Sequence, residues 1–332
     1  MLSRTFVRTF ISTLAVGSAL PAFGQNGEIT LYSGRKEALL KPLLEEFTQK
    51  SGIKVNVKYG KDSQLVTQLT EEKQAAADAI LVSDATLLDD LARKGKLQTF
   101  SAAAISKVPA DAKAKDSSWV GLSRRARVLL VNTKMLKPEQ YPKSMFELTD
   151  KKWAGKVAST GLTQSAFVAQ IAGMKVLKGE KIVTEWLSGL KSNKTAWFED
   201  HTQVRKAVGK GEFPVGVINH YYGHLEKAEG SPVEIVYADQ GEKDMGALYN
   251  YSSIGLIKDA KNAANVNKLT EFLLTEGQKK FAELNFEFPI DATVPVKVGV
   301  KDPKTIKFSP VTIEQMGAER ELTLALGHKL GL

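Results

Sequence analysis

The feature that most constrains this chain is a change of hydrophobic period, repeated along its first hundred residues. Glu28–Tyr32 (EITLY) reads as a strand, and Glu37–Gln49 then carries Leu39, Leu40, Leu43, Leu44 and Phe47 on one helical face. Pro42 falls inside that pattern and predicts either a kink or a later first turn; Ser51-Gly52 ends it. Ile53–Tyr59 (IKVNVKY) alternates as a strand does, Ser63–Ala75 returns to the helical period, Ala79–Val82 is a short buried strand, and Thr86–Lys94 is a helix stopped by Gly95. Strands that alternate with helices predict a mainly parallel sheet with helices on both faces.

A second alternation follows. Trp119–Leu122 and Arg127–Val131 read as strands around a basic turn. Gly155–Ser159, Thr195–Phe198 and Pro214–Asn219 read as further strands, separated by helices over Ala166–Leu177, Glu180–Leu190 and Thr202–Gly209. Gly246–Ile257 is long enough to cross between two bodies, Asn265–Leu274 and Gly277–Leu284 are helical, and the tail from Val311 to Leu332 is mostly helical. No low-complexity linker separates the two units, so strands are expected to pass between them near Arg125–Arg127 and Tyr249–Ser253. The expected architecture is an α/β fold of two lobes, each a mixed, mostly parallel sheet flanked by helices, with a cleft that closes by hinge bending. The expected division is 25–125 plus 252–300 for the N-lobe and 126–251 plus 301–332 for the C-lobe. Ligands in such sheets lie at the carboxyl ends of strands and at helix N-termini.

Composition narrows the chemistry. The 332 residues include no cysteine, which excludes disulfides, thiol nucleophiles, iron–sulfur clusters and thiolate zinc sites. Any metal must be held by oxygen or imidazole. Arg4 and Arg8, the apolar stretch Phe10–Leu20 and the small residues of Ala22-Phe23-Gly24 predict a cleavable signal peptide over residues 1–24; the apolar stretch is about half the ~20 residues of a spanning helix. An exported chain without disulfides fits a bacterial periplasm, where a large core replaces covalent staples. The formal charge of +9 is dispersed along helices, so nucleic acid is not an expected partner, while a basic cleft for a small anion stays open.

Four segments could carry chemistry. In Val215–His224 (VGVINHYYGH) an apolar strand runs into Asn219, His220, Tyr221 and Tyr222. Two consecutive phenols in the first turn of a helix can flank one point in a cleft, beside unpaired N–H groups and a positive dipole end. Phenolate is a hard donor that forms at neutral pH only beside a strong cation such as Fe³⁺. Read alone, the pair is also what two aromatics plugging a helix end would look like. The turn Tyr32-Ser33-Gly34-Arg35-Lys36 offers Arg35 to an oxyanion, Thr163-Gln164-Ser165 precede a helix as an anion cradle or a plain N-cap, and Arg124, Arg125 and Arg127 lie at the expected crossing. Sequences of the HExxH, GxSxG, GxGxxG and Walker A types do not occur where they would need to, so an enzyme is not expected.

Taken together, the segments ITLYSGRKEALLKPLLEEFTQKSGIKV, AADAILVSD, WVGLSRRARVLLVNT, KKWAGKV, KGEKIVTEWLSGLK, GEFPVGVINHYYGH, YSSIGLI and NFEFPID resemble the periplasmic ferric-ion-binding proteins of iron ABC transporters, within the type II solute-binding proteins. The resemblance implies Fe³⁺ as cargo, Tyr221 and Tyr222 as its ligands, Asn219 beside a synergistic anion, and Gln164, Ser165 and Ala166 in the anion loop. Family members place His, or His-Tyr, after the first strand, and some a Glu after the third. Here those stretches read Arg35-Lys36-Glu37 and Ser83, with Asp84 next. The implied shell therefore leans on one or two small anions, carbonate first among them, neutralised by Arg35 and by Arg125 or Arg127. Tyr32 and Asp84 are further ligand candidates, and Asp200 or His201 falls near another anion contact. The expected partner is an inner-membrane permease, served by a monomer. The alternative is a metal-free binder of a phosphonate, a phosphorylated metabolite or a dicarboxylate, and a third reading is a secreted hydrolase or metal enzyme using His220, His224 and the two tyrosines.

Overall fold

The structure, a computed structural model, describes residues 27–332; the signal peptide expected over 1–24 lies outside the described residues. In chain order the first unit comprises β1 (Glu28–Ser33), α1 (Glu37–Ser51), β2 (Lys54–Tyr59), α2 (Asp62–Glu71), β3 (Ala79–Val82), α3 (Ala85–Arg93) and β4 (Leu97–Gln98). β1 pairs in parallel with β2 and β3. α1 buries Leu40, Leu43, Leu44 and Phe47, each contributing roughly 1.5–3 kcal/mol by leaving water. Pro42 does not delay α1. The helix begins at Glu37 and carries Pro42 in its interior, because the buried leucine face outweighs one missing backbone donor. It ends at Gly52, whose φ of +73° is the left-handed conformation, with its N–H bonded to the Thr48 carbonyl.

β5 (Trp119–Asn132) follows, then β6 (Val157–Thr160), α4 (Ser165–Lys178), α5 (Glu180–Ser192), β7 (Ala196–Phe198), α6 (His201–Gly209), β8 (Val215–Asn219), α7 (His220–Ala228) and β9 (Val233–Val236). The chain finishes with β10 (Tyr249–Ile257), α8 (Ala263–Leu274), α9 (Glu276–Asn285), β11 (Phe288–Pro289), α10 (Ile313–Ala318) and α11 (Arg320–Lys329). Strand order is β2-β1-β3-β10-β5-β8-β6-β7.

β5 corrects one expectation. It is a single 14-residue strand with no basic turn. The turn is unnecessary because the arginines find partners inside the protein. Arg124 bonds the Tyr251 hydroxyl and Asp111, Arg125 donates to the Tyr251 carbonyl, and Arg127 donates to Gln170 and Asn219. Up to Ala126 the strand pairs antiparallel with β10, and from Arg127 it pairs antiparallel with β8 and β9. The handover from one sheet to the other therefore falls between Ala126 and Arg127. The chain returns beside it, where the Arg127 N–H donates to the Leu248 carbonyl at 2.8 Å just before β10 begins. α10 packs against both α3 and α4, tying the helices of the two sheets together behind the junction. No helix among the described residues is long and apolar enough to cross a membrane.

Candidate metal and anion site

Six short segments meet at one cavity of about 250 Å³. They follow β1, β2 and β3 in the first sheet and β6, β7 and β8 in the second, so the cavity faces the carboxyl ends of strands, as a two-lobed α/β frame requires. From the first sheet come Gly34, Arg35, Lys36, Lys61, Asp62, Ser63 and Ser83. From the second come Thr163, Gln164, Ser165, Glu199, Asp200, Tyr221 and Tyr222.

Tyr221 and Tyr222 occupy the first turn of α7 because β8 ends at Asn219 and the helix starts at His220 without a side-chain cap. Their rings are mostly buried, 4% and 8% exposed, yet both line the cavity. The rings lie 4.3 Å apart, tilted by 31°. Burial pushes the Tyr222 phenol well above its ordinary ionisation range; the neighbouring Tyr221 adds to this, and the Arg35 guanidinium opposes it. His201 stands 5.2 Å from the Tyr222 ring and is held well below its ordinary pKa by burial and by Arg127. It is a neutral spacer behind the phenol.

Arg35 enters from the opposite wall. Its Nη1 donates to Glu287 at 2.7 Å, while Nε and Nη2 are buried without a partner. Burial pulls its pKa down, but Glu287 and the two phenols more than offset that and hold it above its ordinary value. Glu287 is fixed in turn by the Ser123 hydroxyl at 2.7 Å. Lys36 reaches across the cavity mouth to Thr202 at 2.6 Å and Asp200 at 3.7 Å. On the second wall Gln164 donates to the Glu199 carbonyl at 2.6 Å, which leaves Thr163 and Ser165 beside the open start of α4, where first-turn N–H groups lack intrahelical partners. Asp62, at the start of α2, accepts from the Ser83 N–H and hydroxyl through Oδ2. Burial raises its pKa to about 6, against the pull of those bonds.

The remaining expected residues fall elsewhere. Arg127 and Asn219 form a layer beneath the tyrosines, bonded to each other at 3.1 Å, and burial lowers the Arg127 pKa to about 9. Arg125 is buried against the β10 backbone. Neither arginine, nor Asn219, nor Ala166 lines the cavity. Tyr32 is a correction. Its hydroxyl accepts from Gln68 on α2 and its ring lies under Lys58 of β2, 5.0 Å away, so the phenol is engaged on the β2–α2 side and does not line the cavity.

Asp84 is a second correction. It caps α3 by accepting from the Thr86 N–H, accepts from Asn250, and pairs with Arg320 at 3.0 Å, fully buried. Asp84→Ala is therefore expected to cost about 3–5 kcal/mol of stability, since it strands the Arg320 guanidinium, and to leave ligand binding in the cleft unchanged. Chemical denaturation and a binding titration on the same variant check both halves.

Glu287, Asp62 and Lys61, with Ser63 and Glu199, are residues of the site that were not expected from the sequence. Glu287 lies in the NFEFPID segment, but nothing local marks it as the partner of an arginine 252 positions away. Among the described residues no cluster of three or more His, Asp or Glu is arranged to hold a metal. A metal in this cavity would rest on the phenols.

Residues 43–307 match the family model for bacterial extracellular solute-binding proteins. The chain belongs to that family. This solute-binding protein is 30% identical over 305 residues to "Iron uptake protein A1" of Synechocystis, covering 89% of this chain and 84% of that one. It is also 30% identical over 301 residues to the "Major ferric iron-binding protein" of Neisseria meningitidis, covering 88% of each. Among solved structures, iron-bound HitA from Pseudomonas aeruginosa superposes with a TM-score of 0.86 at 29% identity, covering 92% of this solute-binding protein and 99% of that chain.

Proposed function

We propose that this solute-binding protein captures ferric iron, together with a small synergistic anion, in the periplasm and delivers it to an ABC permease of the inner membrane. The observation that carries the reading is the pair of adjacent phenols, Tyr221 and Tyr222, facing a cavity whose opposite wall holds a buried guanidinium with two free N–H edges. Ferric iron is hard and takes oxygen donors. Two phenolates fill two of its positions and neutralise two of its three charges. Arg35 and the N–H groups at the start of α4 then suit an anion bound to the metal beside the phenolates. Carbonate is small enough to share the cavity with the ion. The names of the two relatives and the iron-bound structure support the same cargo.

The test is a titration of metal-free protein with a ferric salt in bicarbonate buffer, followed in the visible range. A phenolate-to-iron charge-transfer band is expected to grow to one equivalent, and to weaken when bicarbonate is withheld. A protein that stays colourless in both buffers overturns the reading.

A further inference from the structure

Among the described residues three buried carboxylate oxygens have no hydrogen-bond partner, on Glu46, Asp62 and Asp89. Glu46 is paired with Lys280, and the Asp89 oxygen with Arg93. The Asp62 oxygen is in no such ion pair, and Asp62 is the one of the three that lines the cleft cavity. The residue is 7% exposed. Its other oxygen is clamped by the Ser83 N–H at 2.9 Å and the Ser83 hydroxyl at 2.5 Å, which fixes the carboxylate plane. The free Oδ1 rests against the turn that presents Arg35. A methyl group at Gly34 would come within 1.4 Å of it, so glycine at 34 is what leaves that oxygen its place. A carboxylate that is desolvated, oriented and left half unsatisfied is unfavourable in the empty protein, and a hard cation would satisfy it.

We infer that Asp62 is the first lobe's own oxygen ligand to the cargo, its Oδ1 completing from the β2–α2 turn a ferric shell begun by Tyr221 and Tyr222. The assignment rests on the ferric reading above. It gives lobe closure a direct role, because a metal gripped from both walls holds the two sheets together.

Asp62→Asn keeps the shape and removes the anionic donor. With the phenols intact the variant is expected to remain coloured. Its ferric affinity, measured by competition with citrate, should fall by about tenfold or more. The charge-transfer band should move to longer wavelength, because iron that has lost an anionic ligand draws charge from phenolate more readily. Asp62→Glu should recover part of both. Ser83→Ala keeps the carboxylate but frees its plane, and should give a smaller loss in the same direction, which guards against an Asp62 variant that folds poorly. Affinity and band position within twofold of the parent in both Asp62→Asn and Ser83→Ala overturn the assignment and leave the tyrosine reading standing. A parent protein that forms no coloured complex overturns both.

Discussion

Tyr222→Phe is expected to abolish the ferric charge-transfer band and to lower ferric affinity by roughly a thousandfold, about 4 kcal/mol, while the protein stays folded. The substitution removes one oxygen and no packing volume. The ring keeps its neighbours, Tyr221 at 4.3 Å and His201 at 5.2 Å. Even a single neutral hydrogen bond lost with the hydroxyl would cost the fold only on the order of 1 kcal/mol, small beside a bond to a ferric ion. A melting curve close to that of the parent, alongside a flat visible titration, is the expected combination. Tyr221→Phe should behave in the same way. A Tyr222→Phe protein that binds ferric iron with parental affinity would remove the central premise of the proposed function. Retained colour in one variant and loss in the other would reduce the ligating pair to one phenol.

The second large effect is on pH. Each phenol that ligates gives up a proton, so affinity must fall as pH falls. The sign is set by the empty protein: burial holds Tyr222 protonated to well above the ordinary phenol range, so at neutral pH metal binding always displaces its proton. One displaced proton lowers the apparent affinity about tenfold per pH unit, and two lower it about a hundredfold per unit. Ferric affinity measured by competition between pH 8 and pH 5.5 should therefore drop steeply with no plateau near neutrality, and the colour should bleach on acidification and return on neutralisation. A flat profile over that range would mean that no phenol proton is exchanged for metal. Arg35 moderates the cost without removing it, because its charge opposes the shift at Tyr222 but is itself shared with Glu287.

Both results depend on features of different legibility in the linear chain. The parallel-sheet units around β1–α1–β2 and β6–α4 are visible as changes of hydrophobic period, and the end of α1 is visible as Gly52. The adjacency of Tyr221 and Tyr222 after an apolar strand is visible too, because a strand-to-helix turn places consecutive residues around one point whatever the rest of the protein does. β5 was less legible. Three arginines in four residues look like a solvated turn, and only Tyr251, Asp111, Gln170 and Asn219, brought in from distant segments, turn them into the middle of a buried strand. Tyr32 and Asp84 were misplaced for a related reason. Nearness to a strand end fixes a residue's position along the chain, while the pleat and the available cap partners decide which way it points.

The sequence by itself determined the local geometry: which segments are strands and helices, where the chain turns, and that two phenols share one helix turn. Those follow from periodicity and short-range sterics. The tertiary structure decided which charges are satisfied and which are left over. Glu287 claims one edge of Arg35 and leaves two free, Arg320 claims Asp84 for the α3 cap, and Ser83 claims one oxygen of Asp62 and leaves the other buried against Gly34 without a partner. Electrostatic pairing in a desolvated interior depends on distance in space, which separations of up to 252 residues along the chain do not encode.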